Sequence, residues 1–272
     1  MIEVSAEQVL AWRLHRQYVE PLTDTGPVEI VGRLCGVQAP AASAAETPVA
    51  LRQRNPKPAG VKRAYSDPPP VQPSAIPGTL HAMRSSDVAE YLSLLAGART
   101  WTKPSMSRHF GETPEEVEQL TGAGADLLHG HVLSRDEVVS ELVQDKRFKG
   151  MEEQLRSGWG ARLRPLAWQG ALCDGPSPSS KATFTRPASL LKNWNGVPDP
   201  AEAARAVIMR YLSAYGPATP ETFDAWLSRN SNKKSTLRSW FASLGEQIVE
   251  VRVEGETRYL LAEHEDELAA TR

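Results

Sequence analysis

Residues 203–261 read AARAVIMRYLSAYGPATPETFDAWLSRNSNKKSTLRSWFASLGEQIVEVRVEGETRYLL, a string in which helical periodicity gives way to strict alternation. The spacing predicts a helix over 203–215, ended by Gly216-Pro217. Thr219-Pro220 opens a second helix over 219–227. Proline is tolerated at a first helical position because its missing N–H would have no intrahelical acceptor there. A third helix over 234–244 stops at Gly245. Ile248, Val249, Val251 and Val253, the turn Glu254-Gly255-Glu256, and Tyr259 and Leu261 then predict a strand pair over 247–261.

Helix, helix, helix, hairpin is the order of a winged helix, whose third helix enters a DNA major groove and whose hairpin is the wing. A fainter copy is expected upstream, with helices over 134–143 and 160–172 and a strand over 181–186. A third is expected in 28–35, 42–54 and a strand near 78–81. Capping boxes at Ser5–Gln8, Thr113–Glu116 and Ser134–Glu137 mark further helix starts. Val9, Trp12, Leu14 and Tyr18 suggest an amphipathic first helix, and Val88, Tyr91, Leu92 and Leu95 another. Glycine- and proline-rich joints near 122–133 and 187–200 suggest boundaries. The expected fold is mainly α with small β-hairpins, arranged as tandem winged-helix units over 1–110, 111–190 and 200–268.

Composition narrows the function. With 40% hydrophobic and 24% charged residues the chain is that of a globular protein with a real core. The formal net charge is −2, so any positive field for nucleic acid must be local. The first ten residues form no secretory signal, and no run of 18 apolar residues exists to span a membrane. A cytoplasmic monomer is expected. Cys35 and Cys173 form no metal-spaced pair and are expected to be buried thiols. His129-Gly130-His131 has no accompanying ligand cluster and is expected to be a loop. Trp168, Trp226 and Trp240 occupy apolar helical positions and are expected in the core. No metal or organic cofactor is expected.

Five blocks stand in order along the chain: residues 12–17 (WRLHRQ), 36–39 (GVQA), 78–81 (GTLH), 165–170 (PLAWQG) and 215–220 (YGPATP). Together they resemble the AlkZ/YcaQ winged-helix family. The resemblance implies three winged-helix units followed by a small β-barrel, and removal of alkylated bases from DNA. It also implies a Gln-apolar-Gln or Gln-apolar-Asp motif for hydrolysis. An alkylated purine is already a good leaving group, so a neutral amide that positions water suffices, without a strong base. Here the motif reads Gln38-Ala39-Pro40. Gln38 is the candidate catalytic residue, and Pro40 supplies no side-chain partner.

Two further departures accompany Pro40. Five prolines between 68 and 77 remove helix and strand donors, so the first unit is expected to be irregular over 66–77. Pro40, Pro73, Ser74, Ile76 and Pro77 each lie one base change to C from the residue the family pattern would place there. Recent decay or a misread gene is expected to leave that trace. The chain also stops at Arg272, where relatives are expected to continue into the barrel.

Double-stranded DNA is the expected partner. Lys233, Lys234 and Arg238 at the start of the third C-terminal helix, Arg252 and Arg258 on the wing, and Arg162 and Arg164 before Trp168 are candidate phosphate contacts. Thr79 and His81 are candidates through the family-like turn, His81 either facing the DNA backbone or bonding within the core. The expectation is a DNA glycosylase acting on alkylated or cross-linked bases, impaired as written. The alternatives are a non-catalytic winged-helix DNA-binding protein or regulator, and a winged-helix protein-interaction module.

Overall fold

A computed structural model describes residues 1–64, 74–75, 79–156, 162–176 and 182–272. The described chain is mainly helical with three small three-stranded sheets. In the C-terminal region the helices are Pro200–Tyr215, Pro220–Ser228 and Lys234–Ala242. The first begins at Pro200 because the Asp199 carboxylate accepts from the Ala201 N–H at 2.8 Å. Strands Ile248–Val253 and Glu256–Leu261 pair antiparallel, Ile248 opposite Leu261 and Val253 opposite Glu256. Ala218 exchanges both of its backbone hydrogen bonds with Tyr259, at 2.9 and 2.8 Å, placing a short bridge between the first two helices.

This connectivity recurs. The helix Pro114–Leu127 is followed by strand Leu133–Ser134, helices Arg135–Leu142 and Arg164–Trp168, and strands Cys173–Asp174 and Thr183–Thr185. Near the N-terminus come Pro27–Arg33, Val37–Gln38, the short helices Glu46–Ala50 and Gly60–Ala64, and strands Ser74–Ala75 and Thr79–Ala82. In both, the first short strand pairs with the last and the last with the middle one.

Several expectations are corrected. The helix expected over 160–172 is confined among the described residues to Arg164–Trp168, and 42–54 divides into a 3-10 turn at Ala42–Ala45 and the helix Glu46–Ala50. The joint expected from residue 122 begins later, because Pro114–Leu127 runs through both glycines. A Cβ on Gly124 would lie 3.0 Å from Leu166, so this glycine allows close helix packing rather than a break. Leu14 is exposed and Tyr18 lies beyond the first helix with φ 58°, whereas Val9 and Trp12 are buried. Of the segment expected to be irregular, Ser74 and Ala75 pair with Leu80 and Thr79; its remainder lies outside the described residues.

The N-terminal helix Ala6–Arg16 packs on the C-terminal unit. Glu3–Val4 adds in parallel to the C-terminal hairpin, Glu3 beside Arg252, and Glu254 accepts from the Ala6 N–H at 2.7 Å. Val4, Val9 and Trp12 bury against Val251, Val253, Leu260 and Leu268. The opposite face of the same helix grips the end of Pro200–Tyr215. Arg13 donates to the carbonyls of Gly216 (3.1 Å) and Pro217 (2.9 Å), Arg16 to that of Ser213 (3.0 Å), and Gln17 to that of Ala214 (3.1 Å). A helix leaves its last carbonyls unsatisfied, and cations there also oppose its dipole. Residues Trp12–Gln17 therefore form a clamp. Val88–Gly97 lies along the middle of Pro200–Tyr215, with Val88, Tyr91, Leu92 and Leu95 packed into a core shared with Val207, Ile208, Tyr211 and Leu212. Both flanking helices of the expected 1–110 block thus lend their apolar faces to the C-terminal core.

Among the described residues no helix is long and apolar enough to cross a membrane. Arg13→Ala should lower the unfolding free energy by roughly 1.5–3 kcal/mol, the range for hydrogen bonds to charged donors, in urea denaturation. Arg13→Lys should recover only part of the loss, because one ammonium cannot reproduce the two-pronged contact.

Candidate functional site

Gln38 is placed by the turn that follows Pro27–Arg33. Cys35 and Gly36 both have positive φ, 58° and 104°, and the Gly36 N–H closes the helix end on Val31 O at 2.9 Å. The chain then enters the strand Val37–Gln38. Val37 and Ala39 point into the first core, which leaves the intervening Gln38 exposed. Antiparallel pairing sets Gln38 directly opposite His81, on the same face of the two strands. The Ala39 N–H continues the ladder to Leu80 O at 2.8 Å; Pro40, exposed, has no N–H to extend it.

His81 is buried, and its Nδ1 lies 3.0 Å from the Thr79 carbonyl. A carbonyl only accepts, so this contact selects the tautomer with the proton on Nδ1 and makes Nε2 the acceptor nitrogen. Burial draws the His81 pKa below its usual value, against the smaller opposing effect of the Thr79 bond. A neutral imidazole beside an exposed amide can hold a water or a polar substrate edge without carrying charge.

The cationic candidates separate into distinct environments. Lys233 precedes Lys234–Ala242 at its N-cap position without a side-chain capping bond, and Lys233, Lys234 and Arg238 are all exposed, while Leu237, Trp240 and Phe241 face inward. Cations at a helix start oppose the dipole there, an arrangement that a bound anion relieves. Arg162 is instead inside the protein, forming an ion pair with Glu112 in which the side chains are 4% and 8% exposed. Arg164 is half-buried at the start of its helix. Arg252 is exposed on the hairpin strand that Glu3–Val4 covers, and Arg258 pairs with Glu256 at 3.2 Å. The hairpin surface carries exposed Glu3, Glu250, Glu254 and Glu256 around them.

The family model described as DNA glycosylase AlkZ-like matches residues 31–272. The chain belongs to the AlkZ-like DNA glycosylase family. A relative from Streptomyces sahachiroi named "Interstrand DNA cross-link repair glycosylase" is 52% identical over 271 residues, covering 99% of this chain and 73% of the relative. The solved structure of Streptomyces sahachiroi DNA glycosylase AlkZ matches with a TM-score of 0.94 at 51% identity, over all of this chain and 73% of that one.

Within this AlkZ-like frame the structure brings Gln38, Thr79 and His81 together and leaves the basic candidates on other elements. Of the expected core tryptophans Trp240 is buried, while Trp168 and Trp226 are half-buried. Cys35 and Cys173 are buried free thiols, burial pushing Cys35 up to about 12. Among the described residues no three His, Cys, Asp or Glu side chains are grouped to hold a metal. Sequence reading missed Lys103, whose ammonium crosses to the Ser231 carbonyl at 3.1 Å; nothing local to residue 103 announces that contact. It also missed the use of Arg13, Arg16 and Gln17, although their spacing of three and four residues on one helix was a signal for a shared face.

Arg162→Met, leaving Glu112 buried without its partner, should destabilise the fold by about 3–5 kcal/mol in chemical denaturation. The double change with Glu112→Leu should recover most of that loss. Neither should alter the salt dependence of DNA binding under conditions where the variant is folded.

Proposed function

We propose that this AlkZ-like protein is a monofunctional glycosylase, built of tandem winged-helix units, that removes alkylated or cross-linked bases from double-stranded DNA in the cytoplasm. The observation that carries the reading is the exposed Gln38 amide set opposite neutral His81, in a chain half identical to a protein named for interstrand cross-link repair. The thrice-used order of helix, short strand, two helices and two strands, with the first strand joined to the last, supports the winged-helix assignment. In this reading Lys233, Lys234 and Arg238 contact phosphates, and Thr79 and His81 border the reacting sugar.

The chemistry asks little of the protein. Alkylation on a purine ring nitrogen places positive charge on the base, so the C1′–N bond breaks with its electron pair moving onto the base, which leaves neutral. Water forms the new bond to C1′ and loses a proton to solvent. The Gln38 amide oxygen accepts from that water and fixes its approach, while the oxocarbenium-like sugar needs no strong base. Pro40 favours a second reading, a DNA-binding protein without excision, because the position two residues beyond Gln38 offers no polar atom to share in holding water.

Base release from alkylated duplex DNA tests both. The unaltered chain should act slowly, and Pro40→Gln alone should recover little. Combining Pro40→Gln with Pro73→Thr, Ser74→Trp, Ile76→Met and Pro77→Arg should recover much more, since a misplacement of about an ångström can cost on the order of a hundredfold. Gln38→Ala should abolish what is recovered. Strong excision by the unaltered chain that survives Gln38→Ala would place the active site elsewhere.

Replacing Lys233, Lys234 and Arg238 together with Ala should lower the slope of log affinity against log salt by up to about three units. An unchanged slope in anisotropy titrations would move duplex binding to another face.

A further inference from the structure

The joint between the middle and C-terminal units gathers cations that the sequence scatters. Lys103 reaches across to the Ser231 carbonyl in the turn between Pro220–Ser228 and Lys234–Ala242. In that turn Arg229 and Asn230 both have positive φ, 56° and 58°, and Arg229 is exposed. Asp224, the acid of this turn, is buried and engaged inward: its carboxylate accepts from Ser228 and from the side chain and backbone of Asn232, at 2.7 and 3.1 Å for the latter two. It offers nothing to Arg229.

Arg164 borders the same joint. Its neighbours Arg162 and Pro165 line a small cavity with Trp101, Met106 and Ser107. Trp168, one turn beyond Arg164, lies 6.4 Å from the Trp101 ring, two residues before Lys103. Neither Arg164 nor Arg229 has a carboxylate partner among the described residues, whereas neighbouring Arg162 is matched by Glu112. Burial first, and then the charge of Arg229, draw the Arg164 pKa down. Guanidiniums left without an acid on both sides of the joint are an arrangement that folding alone does not favour.

We infer that Lys103, Arg164 and Arg229 form one phosphate-binding seat across this joint, and that its ligand is a phosphodiester of the DNA backbone. The seat rests on the DNA-binding reading above and extends it. This seat would fix two units on one strand. Such a contact sets register and orientation without reading bases.

The test titrates the full chain against a short labelled duplex at several potassium chloride concentrations. Arg164→Gln and Arg229→Gln should each lower the log–log salt slope by about 0.9 and weaken binding roughly tenfold at 0.1 M salt. Arg164→Lys should keep the slope. Thermal midpoints of the free variants should stay level or rise, since a repulsion is removed; a structural role would lower them. An unchanged slope in the double variant, while the Lys233/Lys234/Arg238 variant flattens it, would overturn the seat and leave the DNA reading standing. Wild-type affinity that ignores salt would overturn both. Stabilisation by inorganic phosphate that the double variant loses, with its DNA slope intact, would overturn the DNA assignment in favour of a small anion.

Discussion

The structure depends on how the last carbonyls of the Pro200–Tyr215 helix are satisfied. That helix packs against Ala6–Arg16, Pro27–Arg33 and Val88–Gly97 as well as Lys234–Ala242 and the strand Glu256–Leu261, yet it ends in Gly216-Pro217, where proline cannot supply a donor to the turn. Donors come instead from Arg13, Arg16 and Gln17, some 200 residues earlier, and the Tyr215 hydroxyl adds a bond to Leu34 O at 2.9 Å. Arg52 carries the link onward, donating to Gln17 O at 2.9 Å and Pro48 O at 2.6 Å. The strand that presents Gln38 is therefore braced against the central helix through hydrogen bonds as well as through its own apolar core.

Charge is sorted rather than scarce. A formal net charge of −2 hides a surface where carboxylates surround the C-terminal hairpin while Lys233, Lys234 and Arg238 stand exposed at the start of Lys234–Ala242. The hairpin was expected to act as a cationic wing through Arg252 and Arg258. Its exposed edge is instead taken by Glu3–Val4, and one of its two arginines is matched by Glu256.

Legibility followed locality. Ser5–Gln8, Thr113–Glu116 and Ser134–Glu137 each form the reciprocal cap that their spacing implies, because the bonding partners lie within one turn. The alternation at Ile248–Val253 was legible for the same reason. Gly124 was misread as a break because its partner, Leu166, is distant in sequence, and a glycine chosen for close approach looks the same as one chosen for a turn. At the candidate site, Gln38 could be named from a family-like motif, but its pairing with His81 needed the register of two strands more than 40 residues apart. Arg162 looked like a surface cation until Glu112, on another segment, was brought against it.

The parallel pairing of Glu3 with Arg252 also orders events during synthesis. The strand Glu3–Val4 and the apolar face of Trp12 are made about 250 residues before the hairpin that receives them. At about 5–20 residues per second, that leaves them unpartnered for roughly 12–50 s. Through that interval the segment is an apolar nascent-chain liability that a chaperone must tolerate, and its docking can only follow synthesis of the hairpin.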